Sequence, residues 1–178
     1  MEPLKPDGTG RRHQDRLDAG TLSRVVLTVA FLNFAYFFVE FTVALSAGSV
    51  SLLADSVDFL EDTAVNLLIF VALGWPLARR AMMGKVMAFI ILGPAALATW
   101  EAIREFPEPD APVLLPLVLA SLGAIAVNGT SAWLLASVRH HGGSLSRAAF
   151  LSARNDVLIN ISIMVMAFVG KALRCCKN

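Results

Sequence analysis

Long apolar runs separated by short polar breaks make up most of the chain. The runs extend from about Leu22 to Ser46, Val50 to Leu77, Met83 to Ile103, Val113 to Val138 and Ser146 to Gly170. Each is long enough to predict a helix across a hydrocarbon core. The breaks carry turn chemistry: Ala47-Gly48-Ser49, then Gly74-Trp75-Pro76 followed by a basic loop with Arg79, Arg80 and Lys85. After these come the proline-rich stretch Arg104 to Pro112 and the turn Arg139 to Gly143. Gly93-Pro94 falls inside the third run and predicts a kink. The expected fold is all-α, a polytopic transmembrane bundle of five spans. Met1 to Gly20 is polar and reads as a disordered arm, and the run after it is too long for the core of a secretory signal. The expected division is 1–20 cytoplasmic arm, 21–173 transmembrane domain and 174–178 short tail.

The exceptions inside the runs carry the chemistry. The second run contains Asp55, Asp58, Glu61 and Asp62. Acids within a membrane helix are expensive and usually face a polar interior, where they bind ions or relay protons. At about 3.6 residues per turn, Asp55, Asp58 and Asp62 share one stripe, and Glu61 points roughly a quarter-turn away. A soluble amphipathic helix is the plainer alternative, but apolar residues border the stripe on both sides. In the first run Asn33, Tyr36 and Glu40 share a face. Asn33 and Tyr36 read as interhelical hydrogen bonders, and Glu40, near the far end, as solvent-facing. The fifth run carries Ser152, Asp156 and Asn160 at intervals of four, again on one face. Asn128 is buried in the fourth.

Composition agrees. Of 178 residues, 56% are hydrophobic and 16% charged, with mean hydropathy +0.65, against about 25% charged in soluble domains. A net charge of +1, with no basic patch beyond the N-terminal arm, argues against a nucleic-acid partner. Cys175 and Cys176 are adjacent, so no disulfide framework is expected.

Charge also sets an expected orientation. Five Lys/Arg precede the first span through Arg24, three follow the second, and Arg139 and Arg147 flank the fourth break. The N-terminus and these loops are therefore expected in the cytoplasm. Five spans would put Lys171, Arg174 and Lys177 outside, against the rule. With a rise of ~1.5 Å per residue, Asp58 and Asp62 lie roughly 18 and 12 Å from the cytoplasmic edge of a ~30 Å core. Ser152 and Asp156 lie roughly 9 and 15 Å from the same edge. The two polar stripes are thus expected at one depth, forming a cage of carboxylates with Ser and Asn oxygens.

The segments Ser49-Val-Ser-Leu-Leu-Ala-Asp-Ser-Val-Asp-Phe-Leu-Glu-Asp62 and Ser144-Leu-Ser-Arg-Ala-Ala-Phe-Leu-Ser-Ala-Arg-Asn-Asp-Val-Leu-Ile-Asn160 resemble the second and fifth membrane helices of cation diffusion facilitators. The resemblance covers about residues 22–170. It implies a proton-coupled exporter of divalent metal whose ion is held by acidic or His pairs four apart on those two helices. Carried onto this chain, the pairs are Asp58 with Asp62 and Ser152 with Asp156. Asp55, Asn160 and Glu40 are possible accessory residues, and Asn128 also stands where relatives often have a polar residue. Ser152 departs from the family's usual His or Asp. A sixth helix and a cytosolic domain belong to the family pattern, and the apolar pattern here stops after Gly170, which reads as a truncated or altered C-terminus.

The chemistry follows from the residues as well. An empty cage of aspartates in low dielectric is expected to hold protons, and a divalent cation needs them ionised, so each excludes the other. Oxygen-only ligands suit Mn²⁺ or Fe²⁺, whereas the family default is zinc. No permanently bound cofactor and no enzymatic activity are expected. The expected partners are the lipid bilayer, the metal ion, protons and a second copy of the chain, in a bacterial inner membrane. A carboxylate-bridged membrane metalloenzyme is the rival class, disfavoured because no His lies in any span. A non-transporting, metal-binding relative is the other. His140-His141 reads as solvated loop. Arg154 lies off the polar stripe, with an ion pair to Glu61 as a remote option. Gly123, Ala124, Ala126, Gly129 and Ser131 suit close helix packing.

Overall fold

The computed structural model describes residues 8–105, 114–140 and 144–175. Among them are five helices and no strand: α1 (Gly8–Ala47), α2 (Val50–Ala72), α3 (Leu77–Glu105), α4 (Leu114–Val138) and α5 (Ser144–Cys175). The all-α bundle expected from the sequence is what forms. α1 and α2 pack as a hairpin, α4 and α5 as another, and α1 joins the two through α4. α3 packs mainly against α2.

Local chemistry sets the helix limits. Gly48 takes φ 61, a left-handed conformation that glycine adopts without a Cβ clash. Its N–H and that of Ser49 donate to Leu45 O and Ala44 O, closing α1. The Ser49 side chain then accepts from Leu52 N and caps α2. The second span ends earlier than its apolar run, at Ala72 rather than Leu77, because Gly74 and Pro76 break the ladder. Pro76 O accepts from Arg79 N at 2.9 Å, a first turn that starts α3 where a proline is favoured. Arg79, Arg80 and Lys85 therefore lie on a helix, not in the expected loop. α3 continues through Gly93-Pro94 without interruption.

Two further boundaries differ from expectation. α1 begins at Gly8, so residues 8–20 are helical rather than an irregular arm. Adding a residue to an existing helix costs far less than starting one, and Arg11 to Leu17 contains no helix breaker. α5 likewise extends to Cys175, past Gly170. Residues 1–7, most of the Arg104–Pro112 break, His141–Gly143 and Cys176–Asn178 lie outside the described residues.

The surface is inverted relative to a water-soluble domain. Phe31, Phe38, Leu119, Trp133 and Met166 are all more than half exposed, while Asn33, Glu40, Asn66, Asn128 and Asn160 are buried. By length and composition, Ala19–Ala47, Leu114–Val138 and Ser144–Val169 suffice to cross a membrane. α2 has spanning length, but its four acids need a polar interior. The bundle gives them one. This is an integral membrane protein.

Two apolar clusters close the ends of the bundle. The larger joins Leu22, Val26 and Val29 of α1 to Val65 and Ile69 of α2, Met87 of α3, Leu135 of α4, and Leu145 and Ala149 of α5. The smaller, around Gly48, joins Ala44, Leu52, Leu117 and Ala120. The polar seam runs between them.

Candidate metal site

The acidic stripe of α2 faces α4 and α5. Asp55, Asp58, Asp62, Asn128, Asp156 and Asn160 line one cleft of about 250 Å³, with Phe59 and Ile159 as apolar walls. The decisive cross-helix contact is Ser152 Oγ donating to Asp62 Oδ1 at 3.3 Å. Asp156 lines the same cleft as Asp62. Stripes at similar calculated depths in α2 and α5 thus meet in space.

Backbone bonds hold the cleft walls in register. Asn66 Nδ2 donates to Asp62 O at 2.8 Å, and Asn160 Nδ2 donates to Asp156 O at 3.1 Å. Each leaves its Oδ1 buried without a partner, as is Asn128 Oδ1. Two of these, on Asn128 and Asn160, belong to the cleft lining. A buried acceptor without a donor is costly, and a cation is the kind of group that satisfies it. The donor set is oxygen throughout. Among the described residues no three His, Cys, Asp or Glu side chains converge closely enough to hold a metal ion together. The carboxylates form a ladder along the cleft rather than a finished cage.

The residues singled out from the sequence separate into three groups. Asp55, Asp58, Asp62, Asp156 and Asn160 share the cleft. Ser152 touches Asp62 from its flank. Glu40 lies elsewhere and is fully buried, which corrects the expectation that it sees solvent. The tight turn at Gly48 folds α1 onto α2 and covers Glu40 with the second helix. Asn128 was legible as the single amide in the otherwise apolar α4, and the cleft gives it a place. Glu61 is half-buried and outside the cleft lining. Arg154 is exposed and makes no ion pair with Glu61 among the described residues.

Of the residues read as bundle glue, Tyr36 bridges helices, donating from Oη to Ala120 O at 2.7 Å. Asn33 does not: its Nδ2 donates to Val29 O of its own helix. A Cβ on Gly123 would collide with the Tyr36 side chain, whereas Gly129 has nothing nearby. Only the first of these two glycines is a packing residue. At the fourth break, the Arg139 guanidinium sits 5.2 Å from the Phe150 ring centroid, and Nε donates to His140 Nε2.

A spanning helix bundle with an inward acidic seam defines the class, a polytopic membrane protein with buried carboxylates in its interior. Comparison with known proteins gives the family. Residues 26–175 match the cation efflux transmembrane domain, and the chain belongs to the cation efflux, or cation diffusion facilitator, family. It is 29% identical over 160 residues to the zinc transporter ZitB of Pectobacterium atrosepticum, covering 80% of this chain and 49% of that protein. The chain therefore spans about half the length of the curated relative it matches.

Proposed function

We propose that the protein moves divalent metal cations out of the cytoplasm in exchange for protons, through the cleft between α2 and α5. The observation that carries this reading is the Ser152–Asp62 contact, which joins the α2 and α5 stripes at the depth where Asp58 and Asp156 also face inward. Asp58, Asp62 and Asp156 supply charge, and Ser152, with Asn160 and Asn128, supplies neutral oxygen. A divalent ion replaces the protons that neutralise the empty carboxylates, so ion and protons occupy the cleft in turn. The paired acids titrate as a unit rather than singly. The expected setting is a bacterial inner membrane, in keeping with the bacterial source of that relative, with a second copy of the chain as partner.

The test is metal-driven proton movement in proteoliposomes of the purified chain, read with an entrapped pH dye under a Zn²⁺ or Mn²⁺ gradient. Asp62→Asn should reduce it to background, and Glu61→Gln should leave it within about threefold, since one removes a charge from the cleft and the other does not. Equal loss in both variants would refute the assigned face. Metal binding without flux in the wild type would favour the non-transporting relative.

The identity of the metal is a second question for the same site. The family default and the relative's name favour zinc, whereas the oxygen donors favour harder ions such as Mn²⁺ or Fe²⁺. Ser152→His adds a borderline-soft nitrogen beside Asp62. The Zn²⁺/Mn²⁺ affinity ratio should rise more than about tenfold, ~1.4 kcal/mol of differential binding. Competitive binding to wild type and variant decides it, and an unchanged ratio in a folded variant would remove Ser152 from the site.

A further inference from the structure

Two spaces approach each other inside the bundle. One is the α2–α5 cleft, whose apolar wall on α2 is Phe59. The other is a groove of about 770 Å³ between α1 and α4, lined by Val43, Ser46, Ala47, Leu115 and Leu119 and reaching Tyr36. Ala47 ends α1 and Leu115 lies at the start of α4, so the mouth of the groove is at the Gly48 end of the bundle. At a rise of ~1.5 Å per residue, Tyr36 lies roughly 16 Å below Ala47.

Tyr36 and Phe59 stand between these spaces. Their ring centroids are 4.8 Å apart with an interplanar angle of 60°, an edge-to-face pair. Phe59 is buried on the cleft side, and Tyr36 is half-buried on the groove side. Tyr36 Oη reaches across to α4 and donates to Ala120 O at 2.7 Å, an oxygen with a second lone pair to accept it. The ring takes the space that a side chain at position 123 would need, and Gly123 leaves it free. Asn128, further along the same buried face of α4, already lines the cleft. The ring contact therefore lies within the α1–α2 hairpin, and the hydroxyl contact joins that hairpin to the α4–α5 one.

We infer that Tyr36 is a positioning residue of the seam: with its ring braced on Phe59 and its hydroxyl on Ala120 O, it closes the α2–α5 cleft against the groove at the Gly48 end. A single neutral hydrogen bond contributes modestly, because water can replace either partner, which suits a closure that must also open. Releasing it frees the Tyr36 ring from α4 and joins the two spaces for water and ions. As a stage in transport this closure rests on the function proposed above; as a barrier between two spaces it does not.

Cysteine accessibility on the full chain in lipid nanodiscs tests this, with Cys175 and Cys176 replaced by serine and a charged methanethiosulfonate as the probe. Asn128→Cys puts a reporter in the cleft, and Val29→Cys puts one in the apolar plug. Tyr36→Ala should raise the rate at Asn128→Cys at least about tenfold, and Tyr36→Phe, which keeps the ring but loses its hold on α4, about threefold. The rate at Val29→Cys should change less than about twofold in either background, because a partition affects the cleft alone. No change at Asn128→Cys with Tyr36→Ala would overturn the partition, and none with Tyr36→Phe would overturn the part given to the hydroxyl. Equal gains at both reporters would also overturn it, by showing a bundle loosened throughout. If Tyr36→Ala does not fold, Tyr36→Leu, too short to reach Ala120 O, decides by the same tenfold criterion. No metal or proton flux enters these rates, so a chain that fails to transport would sink the proposed function and leave the partition to be judged separately.

Discussion

The two ends of the bundle are built differently. At the end where α1 begins and α2 finishes, five helices contribute to one apolar plug, with Val26 and Leu135 wholly buried. At the Gly48 end the cluster is four residues, and a groove runs beside it down to Glu40. The acidic seam lies between a shut end and a partly open one. If the charge-based orientation holds, the shut end faces the cytoplasm. The difference is one of packing: both ends border the same acidic seam and differ in how much hydrocarbon stands over it. Every carboxylate of the seam is in place, and what decides its contact with either aqueous phase is how much hydrocarbon stands in the way.

The largest effect that would break this contrast is in accessibility. With both native cysteines replaced by serine, Val43→Cys beside the groove should react with a membrane-impermeant maleimide at least about tenfold faster than Val29→Cys in the plug, an opening difference of ~1.4 kcal/mol. Vesicles of both orientations give the measurement, and equal rates would mean the plug is no barrier. Next comes stability. Leu135→Ala should cost about 2–5 kcal/mol, since its cavity has no neighbour free to fill it. Leu117→Ala in the smaller cluster should cost less, about 1–2 kcal/mol, because the groove lets neighbours relax. Unfolding in mixed micelles ranks the two, and the reverse order would contradict the contrast. The smallest effect concerns the groove wall. Gly123→Ala should displace Tyr36 from Ala120 O and cost about 1 kcal/mol, while Gly129→Ala should be neutral. A Tyr36 fluorescence change in the first alone would place the ring against α4.

Much of the seam was legible because one periodicity governs helices in water and in lipid. The intervals 55-58-62 and 152-156-160 put each set on one face, and a rise per residue put the faces at one depth. The hydrogen bond from Ser152 to Asp62 is what those two calculations anticipate. What could not be read was which helix covers which. Position along its own span alone makes Glu40 solvent-facing, yet it is buried. Counting from the Gly48 turn instead would have set it opposite Asp55. Its amide makes Asn33 a candidate for interhelical glue, yet its Nδ2 donates to Val29 O of its own helix. Charge and Pro76 suggest a loop at Arg79 and Arg80, but the proline instead opens the helix that carries them. In the polar stretch 8–20, composition hides a helix propensity that α1 extends.

The turn at Gly48 has a mechanical consequence. Only two residues separate α1 from α2, and backbone bonds from Gly48 and Ser49 lock them to α1 while the Ser49 cap locks them to α2. There is no slack for one helix to slide along the other, so the hairpin behaves as a stiff lever. Glu40 and Asp55 ride on its two arms, eight residues before Gly48 and seven after it. Asp62 and Ser152 belong to different hairpins, joined by a hydroxyl contact at 3.3 Å, and theirs is the distance a rocking motion would change. The stiff joint is thus within a hairpin, and the adjustable one lies between hairpins.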